Sequence, residues 1–409
     1  MSYRYVLLGA GRQGLAAAYD LGRFGGADDI LLCDIDAHVA ESGADRLNRL
    51  LGRRVARARQ LDVRNTREVA AALDGASACI SSVHYTCNLE VTRLAIVKAV
   101  HMTDFGGNTD VVWQQRACDE EAARAGVTVV PDCGMGPGLN ISLATYVMSL
   151  VDVPREVFIW DGGLPQDPEP PWNYASTFAM GGLTNEYDGH AMFLRNGRIT
   201  PVACFADLEE LDFPPPIGRL EAFVTSGGLS TSPWTLQGRL QRLENKTLRY
   251  RGHCAQFKAF SDLGLLGLDP IELNGHAGPA PAATGPQPRA TRVVPRDVFH
   301  ALLAPKITRD VVRDICVMRA KCIGETQGRP AAAAVDLIDR YDEATGFTAM
   351  QRLTGWHASI MTIAAVRGEI ARGVVPVELA LSGRRVVQES RRRGFAITEH
   401  LDVSAAVAV

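Results

Sequence analysis

A glycine-rich turn between residues 9 and 14 constrains the fold of this chain more than any other feature. A short apolar run leads directly into the sequence GAGRQG, and a helix-favouring segment follows it. In such a strand–turn–helix unit, Gly9 permits the tight turn, Gly11 lets the backbone approach a pyrophosphate, and Gly14 lets the helix pack close to the strand. Free amides at the helix start favour phosphate. The predicted cofactor contacts of this turn are Gly9, Gly11, Arg12, Gln13 and Gly14.

A second apolar run ends in Asp34, about 20 residues beyond the turn. A carboxylate here accepts hydrogen bonds from the hydroxyl groups of an adenosine ribose, and it would repel a phosphate on that ribose. Because no Lys or Arg follows through Ala37, the sequence favours NAD over NADP, and Arg12 is the one residue that could weaken this preference. The alternative interpretation is a glycine-rich surface turn in an unrelated α/β protein.

Residues 1–134 alternate between short apolar runs and helix-favouring segments, including predicted helices over 37–51 and 66–73. Repeated βα units form a parallel sheet, and ligands gather beyond the carboxyl ends of its strands. The sequence therefore predicts a Rossmann-type α/β domain over 1–134. The candidates for cofactor contact at its strand ends are Asp62, Val63, Ser81, Ser82, Val83 and Gly106, and two further strand ends carry Asp104 and Asp132.

A glycine-rich hinge at 131–138 precedes a change of pattern. Beyond it, predicted strands separated by turns indicate an α+β domain over 135–345. Within this domain the stretch 275–295, rich in Gly, Pro and Ala, is predicted to be a flexible surface loop. Residues 346–409 are a separate C-terminal segment, in which a predicted helix over 354–371 ends before Gly373 and Pro376.

Composition and charge exclude several classes of protein. The formal net charge of −3 gives no reason to expect nucleic acid or an acidic membrane surface as a partner. No apolar run approaches the ~20 residues of a membrane span. The nine cysteines form no CxxC pair, and with no recognisable signal peptide this predicts reduced thiols in the cytoplasm. No His, Cys and Asp cluster has metal-binding spacing, and the triplet 391–393, three arginines, is predicted to be a solvated helix end.

Longer motifs narrow the interpretation. They are DFGGN at 104–108, PDCGMGPG at 131–138, GGLPQ at 162–166, GLTNEY at 182–187, LEAFVTSGG at 220–228, KTLRYRGHC at 246–254 and YDEATGFT at 341–348. With these motifs the chain resembles the saccharopine dehydrogenase superfamily, and most closely its lysine 6-dehydrogenase branch. The resemblance covers almost the whole chain, apart from 275–295.

This resemblance implies a Rossmann domain completed by the C-terminal segment, a substrate-binding and dimerisation domain, and a homodimer. It also implies NAD-dependent oxidation of a primary amine. For lysine, the ε-carbon gives up hydride, and the imine hydrolyses to a semialdehyde that can cyclise. One departure concerns relatives that make saccharopine, which often carry a lysine after the tyrosine matched by Tyr174, whereas this chain has Ala175.

The chemistry needs a group that accepts a proton from the substrate, because only a neutral amine has the lone pair that drives hydride departure. His253 is the first candidate, since an imidazole titrates near neutral pH. His84, just past a predicted strand end, is the second, and Asp104 is the third catalytic candidate. The alternative for each is a packing histidine or a structural carboxylate.

Other side chains can bind the ends of an amino acid. Arg249 can hold a carboxylate through a two-pronged pair. An acid such as Asp104, Asp132 or Glu186 can meet an ammonium group, or serve only as a cap or ion-pair partner. The predicted substrate-binding residues are Asp132, Gly134, Trp172, Tyr174, Glu186, Thr225, Arg249 and Tyr250.

Two other functions remain open at this point. One is a reductive-condensation enzyme of the saccharopine or carboxynorspermidine type, which joins an amine to an aldehyde or keto acid. The other is an NAD-binding dimer without catalysis, towards which only Ala175 leans.

Overall fold

The structure, a computed structural model, describes residues 2–178, 180–273 and 291–403. Short strands and helices alternate through the first 130 residues. They are β1 (Tyr3–Leu8), α1 (Arg12–Phe24), β2 (Ala27–Asp34), α2 (Ala37–Leu51), β3 (Ala56–Gln60), α3 (Thr66–Leu73), β4 (Ala78–Ser81), a 3-10 turn (Tyr85–Cys87), α4 (Asn88–Val97), β5 (His101–Asp104), α5 (Thr109–Arg116), α6 (Asp119–Arg124) and β6 (Thr128–Val130).

The middle of the chain is richer in strands. Its elements are α7 (Leu139–Met148), β7 (Val153–Pro165), α8 (Met180–Glu186), β8 (His190–Arg195), β9 (Arg198–Ala203), β10 (Glu209–Phe213), β11 (Gly218–Phe223), α9 (Ser232–Leu236), β12 (Arg242–Arg249), α10 (His253–Asp262), β13 (Ile271–Leu273), β14 (Thr291–Val293), α11 (Pro295–Ile307), β15 (Asp314–Thr326) and β16 (Arg329–Arg340). Of the loop predicted over 275–295, residues 275–290 lie outside the described residues. Strand β14 begins at the next residue, Thr291.

The C-terminal segment returns to both halves of the molecule. It consists of α12 (Ala349–Val366), β17 (Gly373–Val374), α13 (Val377–Ala380), α14 (Gly383–Arg392) and β18 (Ala396–Asp402). β17 pairs with β6 in the first sheet, whereas β18 pairs with β16 in the second.

The first sheet has seven parallel strands in the order β3-β2-β1-β4-β5-β6-β17. Strand β1, which lies between β2 and β4, is fully enclosed from Tyr5 to Leu7 because helices cover both faces of the sheet. The predicted Rossmann-type sheet is therefore confirmed. All the carboxyl ends of its strands lie along one edge, and the glycine turn follows β1 at that edge.

The second sheet has nine strands of mixed direction. Its main path is β10-β11-β12-β7-β15-β16-β18, and β8 and β9 extend it from β12. The parallel pair of β7 with β12 places Asp161 opposite Thr247. This pairing matters for the site, because it brings two polar strand ends together that are more than 80 residues apart in the chain.

Helix α12 contacts elements of both the first and the second sheet regions. It packs along α1, and a Cβ atom at Gly355 would lie 2.6 Å from the amide nitrogen of Ala17, so only glycine permits this close crossing. From the same helix, Met350 and Thr354 reach the space between the sheets. The C-terminal segment thus helps to build the site rather than only cover the sheet.

Several predicted elements need correction. The helix expected over 354–371 runs from Ala349 to Val366, because Thr348 and Gln351 form a capping box at its start. Gly373 belongs to strand β17 instead of ending a helix.

The arginine triplet near the C-terminus also differs from its prediction. Only 1% of the Arg393 side chain is exposed, and its guanidinium pairs with Asp20 of α1 and Glu389 of α14. Arg391 and Arg392 remain largely open to solvent. The segment therefore contributes a buried ion pair between α14 and the cofactor-side helix, because one of its three arginines faces inward.

Candidate active site between the two sheets

The glycine turn has the backbone shape that a pyrophosphate requires. Gly9 has φ +100°, a value that side chains rarely tolerate. A Cβ atom at Gly14 would lie 2.2 Å from the Gly9 carbonyl oxygen, whereas one at Gly11 would meet no atom within 4 Å. Gly11 is also the N-cap of α1 and offers no side-chain cap. The helix start is thus open and rich in free amides, as a phosphate site requires.

Asp34 lies beside this turn at the end of β2. Its Oδ2 accepts a hydrogen bond from the Ala10 amide at 2.9 Å, and its Oδ1 accepts one from the Asp36 amide at 3.1 Å. These bonds hold the carboxylate at the rim of the turn, where a ribose diol would reach it. The residues of the turn and Asp34 therefore fit the adenosine end of a dinucleotide.

Some of the other predicted cofactor residues make contacts away from the cavity between the sheets, and others line it. Ser82 supports the turn from beneath, since its hydroxyl donates to the carbonyl oxygens of Leu8 and Gly9. Ser81 is buried and donates to Asn88, and Asp62 pairs with Arg64 at the surface. Val83 and Gly106 face the space between the sheets.

A cavity of about 360 Å³ joins the edge of the first sheet to the second sheet. The first sheet's side contributes Gln13 of the glycine turn and the residues after the strand ends, the second sheet contributes β7 and β12, and α8 and α12 close the sides. Eight predicted site residues line it: Gln13, Val83, His84, Gly106, Gly134, Glu186, Thr225 and Arg249. The cavity therefore places candidate cofactor and substrate groups in one space.

Arg249 is the central charge on the substrate side. Only 3% of the residue is exposed. Its Nη2 lies 3.4 Å from Glu186 Oε2, its Nε donates to the Tyr187 hydroxyl at 3.2 Å, and the face of Tyr174 lies 5.5 Å from the guanidinium carbon. These contacts fix the orientation of the guanidinium, and it still lines the cavity.

Glu186 keeps about a third of its side-chain surface open and also lines the cavity. Burial raises the pKa of its carboxyl group to about 7, the neighbouring charge of Arg249 lowers it, and that of Asp161 raises it. A carboxyl group with such a pKa exchanges protons near neutral pH, which is the property a general acid or base needs.

Asp161 is a cavity residue that the sequence analysis did not single out. It is 8% exposed, and its Oδ1 accepts a hydrogen bond from Asn245 Nδ2 on the neighbouring strand. Burial raises the pKa of the Asp161 carboxyl group to about 6. The available signal was the position of Asp161 at the end of an apolar run and before two glycines. The cavity-lining residues Asn245, Thr247, Met350 and Thr354 were also missed.

His253 does not line the cavity, so its predicted role as the base lacks a path to the substrate. It is 2% exposed, stacks on Phe257 and bonds the Tyr187 hydroxyl through Nε2 at 2.8 Å. Burial and the charge of Arg249 hold the pKa of His253 well below its usual value. The histidine therefore stands behind Tyr187 as a neutral side chain. His84, in contrast, is exposed at the cavity rim.

Asp104 and Asp132 lie beneath the loop that lines the cavity, not in the cavity itself. Asp104 Oδ1 accepts hydrogen bonds from the Gly106 and Asp132 amides, and its Oδ2 accepts one from Gln115. Asp132 is bonded by the Ser230 hydroxyl. Burial, and then the charge of Asp104, raise the pKa of Asp132 to about 8. Both acids hold the glycine loops in place, which differs from the catalytic and substrate roles predicted for them.

Three predicted aromatic residues also lie away from the cavity. Trp172 packs near Phe260, and Tyr174 is buried beneath Arg249. The Tyr250 hydroxyl donates to the Pro165 carbonyl oxygen at 2.9 Å. Tyr174 therefore acts on the site only through Arg249, and the other two support the second sheet and its helices.

Two further features concern the described residues. No group of three or more His, Cys, Asp or Glu side chains there is arranged to hold a metal ion. None of the helices formed by the same residues is long and apolar enough to cross a membrane.

Comparison with known families agrees with this geometry. The family model of the saccharopine dehydrogenase NADP binding domain matches residues 5–130, and that of the saccharopine dehydrogenase C-terminal domain matches residues 134–393. The chain belongs to the saccharopine dehydrogenase family. Residues 5–130, which contain most of the first sheet, are accordingly a pyridine-nucleotide-binding Rossmann domain. The cavity lies where the two family domains meet.

Individual relatives are distant. A saccharopine dehydrogenase [NADP(+), L-glutamate-forming] from Pyricularia oryzae is 24% identical over 234 residues, which cover 55% of this chain and 51% of that protein. The match therefore spans about half the length of this relative.

Solved structures extend the likeness over the whole fold. The apo saccharopine dehydrogenase (L-Glu forming) of Saccharomyces cerevisiae has a TM-score of 0.76 at 18% identity and covers 98% of this chain and 100% of that one. The homospermidine synthase of Legionella pneumophila in complex with NAD has a TM-score of 0.67 at 12% identity and covers 99% and 93%. At these identities the two structures show a shared fold.

Proposed function

We propose that this member of the saccharopine dehydrogenase family is an NAD-dependent oxidoreductase that oxidises a primary amine, with the ε-amine of lysine as the leading substrate. The observation that carries the proposal is the cavity that extends from Gln13 of the glycine turn to the buried Arg249 and its partly exposed partner Glu186. Such an arrangement can hold a substrate by its charged end while its reacting carbon lies over a cofactor ring.

The chain's own residues suggest a division of roles. Arg249 would bind a substrate carboxylate, because its guanidinium is already oriented by Tyr187 and Tyr174. Glu186 would accept the proton that leaves the substrate ammonium, and His84 at the rim is the second acceptor. A bound nicotinamide ring would take up the hydride from the carbon that carries the amine. The walls of the cavity would keep bulk water from the imine until it forms.

The preference for NAD rests on Asp34. Its carboxylate is fixed by two backbone amides at the position of the ribose, where a 2′-phosphate would be repelled. The matching family model is described as NADP binding, whereas the solved homospermidine synthase contains NAD. Cofactor choice is therefore a direct test of this part of the proposal.

The test combines purified protein with NAD or NADP and a panel of lysine, diamines and monoamines, and it follows absorbance of the reduced cofactor. We expect reduction of NAD with lysine or a diamine. An Asp34→Ala variant should bind NAD about 10-fold more weakly, because a charged hydrogen-bond acceptor is lost. The matched control is Asp29→Ala, at the other end of β2, where the carboxylate pairs with Arg4 and Arg57.

Failure to reduce NAD with any amine would reject the oxidative function. The names of the relatives favour one alternative, a reductive-condensation enzyme of the saccharopine or carboxynorspermidine type. Oxidation of NADH or NADPH that requires both an amine and an aldehyde or keto acid would establish it. Tight NAD binding without turnover in either direction would instead favour a non-catalytic dimer.

A further inference from the structure

The Tyr187 hydroxyl joins two side chains behind the cavity wall. Its oxygen lies 3.2 Å from Arg249 Nε and 2.8 Å from His253 Nε2. All three residues are at most 3% exposed. Within the described part of the chain, this hydroxyl makes no hydrogen bond besides these two. The direction of each bond therefore decides which buried polar groups have a partner.

Chemistry fixes the direction of the first bond. The Nε–H group of Arg249 can only donate, so the Tyr187 oxygen accepts. The hydroxyl proton of Tyr187 then needs an acceptor, and among the described residues the bare Nε2 of a neutral His253 supplies it. If His253 instead carried its proton on Nε2, the buried Tyr187 proton and the Nδ1 lone pair would both lack a partner.

The same reasoning gives the charge and tautomer of His253. With Nε2 bare, the ring proton lies on Nδ1, which has no hydrogen-bond partner among the described residues. This tautomer leaves one buried group unpaired, whereas the opposite tautomer leaves two. A doubly protonated ring would offer Tyr187 no acceptor and would add a second cation near Arg249. The lowered pKa of His253, caused by burial and by the charge of Arg249, agrees with a neutral ring.

This chain of hydrogen bonds ends at Arg249, the cation that lines the cavity. A guanidinium has five N–H groups. Nε donates one to Tyr187, Nη1 one to the Leu248 carbonyl oxygen and Nη2 one to Glu186. The remaining N–H groups lie on Nη1 and Nη2, the pair that binds a carboxylate with two prongs. The bond to Tyr187 at Nε therefore helps to set the plane in which a carboxylate is met.

We propose that His253 is a positioning residue, which as the neutral Nδ1–H tautomer accepts the Tyr187 proton and so keeps the Tyr187 oxygen directed at Arg249. Its effect on a substrate rests on the proposed function, whereas the tautomer is a property of the protein alone. His253 thus influences the binding of a carboxylate without touching it. Its loss should raise KM and leave kcat nearly unchanged.

Two variants separate the acceptor from the ring. His253→Phe keeps a ring that can stack on Phe257 but has no acceptor, whereas His253→Gln offers Oε1 as an acceptor near the position of Nε2. For lysine we expect KM to rise about fivefold in His253→Phe and to return to within about twofold of the wild type in His253→Gln. Equal KM values for the two variants would overturn the proposal.

The substrate 1,5-diaminopentane is the matched control, because it keeps the reacting amine of lysine and lacks the carboxylate. Its KM should differ by less than about twofold between His253→Phe and the wild type, since Arg249 has no carboxylate to hold. An equal rise in KM for both compounds would mean that the second domain is loosened in general, and the positioning role would be rejected.

A double variant tests the link through Tyr187. If His253 acts only through that hydroxyl, His253→Phe combined with Tyr187→Phe should raise the KM for lysine about fivefold, no more than Tyr187→Phe alone. Independent effects would multiply to about 25-fold. Such multiplication would show that His253 influences the site by another route, against the proposal.

Nitrogen-15 NMR of the histidine rings tests the tautomer without a substrate. His357 is an internal reference, because its Nδ1 lies 2.9 Å from the Cys133 carbonyl oxygen, which can only accept, and its Nε2 lies 3.0 Å from the Ser142 hydroxyl. Near neutral pH we expect His253, assigned by the signals lost in His253→Gln, to show the same protonated Nδ1 and bare Nε2. A proton on Nε2 would overturn the proposal.

The NMR result also keeps the two proposals distinguishable. If the wild type reduces NAD with no amine, the proposed function fails, and the tautomer together with a double-variant cycle on unfolding free energies then decides the role of His253. A bare Nε2 and a non-additive pair of His253→Phe and Tyr187→Phe would support the chain of hydrogen bonds. Additive losses of stability would reject it.

Discussion

The two sides of the cavity are built in different ways. The cofactor side is shaped by backbone: Gly9 has a positive φ, Gly11 leaves open space and Gly14 permits close packing, all within six residues. On the substrate side, charged side chains from distant elements meet, such as Asp161 of β7 and Arg249 of β12. A backbone site is specified locally, whereas a side-chain site depends on how strands pair.

This difference has a consequence for substitution. A methyl group added to the turn changes the backbone path itself, and no flexible side chain can move aside to accept it. On the substrate side, a conservative exchange such as Tyr187→Phe removes one polar contact and leaves the backbone path unchanged, so its cost is limited to that contact.

The largest expected effect comes from two glycines of the turn. Gly14→Ala should lower the free energy of unfolding by about 3 kcal/mol and abolish measurable NAD binding, because the new Cβ would overlap the Gly9 carbonyl oxygen. Gly11→Ala should weaken NAD binding but change stability by less than about 1 kcal/mol, since its Cβ meets no atom within 4 Å. Urea denaturation and calorimetry measure both quantities. A Gly14→Ala protein as stable as the wild type would contradict the backbone view of this side.

Asp132 tests whether a buried acid on the cofactor side is structural. Its pKa is raised to about 8, above the ordinary value of 3.8, so the folded state keeps a proton that the unfolded state loses. Stability from this proton is complete below about pH 4 and is lost as pH rises through about 8. Its contribution should fall by about 1.4 kcal/mol between pH 6 and pH 7.

The Asp132→Asn variant isolates this contribution, because an amide carries no charge at either pH. Denaturation curves at pH 6 and pH 7 should show a smaller loss of stability in the variant than in the wild type. Asp74→Asn serves as the control, since Asp74 lies at the surface and pairs with Lys98. Equal pH dependence in the wild type and Asp132→Asn would mean that Asp132 is ionised in the folded protein.

The smallest effect concerns Tyr187, which orients Arg249. Tyr187→Phe removes a hydroxyl that Arg249 Nε and His253 Nε2 both contact. We expect a loss of about 1 kcal/mol in stability and a roughly fivefold rise in KM, or about 1 kcal/mol of binding, with kcat within about twofold. Steady-state kinetics with the best amine separates the two constants.

Tyr250→Phe is the matched control for this prediction. It also removes one hydroxyl contact, the partly buried hydrogen bond to the Pro165 carbonyl oxygen, but Tyr250 does not line the cavity. Its stability should fall by a similar amount while KM stays unchanged. If both variants raise KM equally, the effect on Tyr187 is general loosening of the second domain and not a change in the orientation of Arg249.

Local sequence signals predicted the helices with strong caps well. The expected bounds of α2 and α3 agree with the structure, and the side chains of Asp36 and Asn65 cap their first turns. Strands such as β18 were missed. Its residues are mostly exposed at the edge of the second sheet, so they carry little of the apolar alternation that marks a half-buried strand.

The predicted site shows the same division. Gln13, Val83 and Gly106 line the cavity as expected from strand ends, because the carboxyl ends of parallel strands meet at one edge. His253 was favoured for its residue type and for its place shortly after Arg249 in the chain, but the packing of α10 buries it behind Tyr187. Residue type shows which chemistry a side chain can perform, whereas its surroundings decide whether a substrate can reach it.

The sequence alone determined the dinucleotide turn, its acidic partner Asp34 and the parallel sheet, because these depend on residues close together in the chain. Only the tertiary structure decided which ionisable groups face the cavity. Parallel pairing of β7 with β12 placed Asp161 beside Asn245, and the packing of α14 buried Arg393 while its two neighbours stayed outside. The physical reason is that the burial of a charge depends on contacts across the whole fold, and no local pattern of residues encodes them.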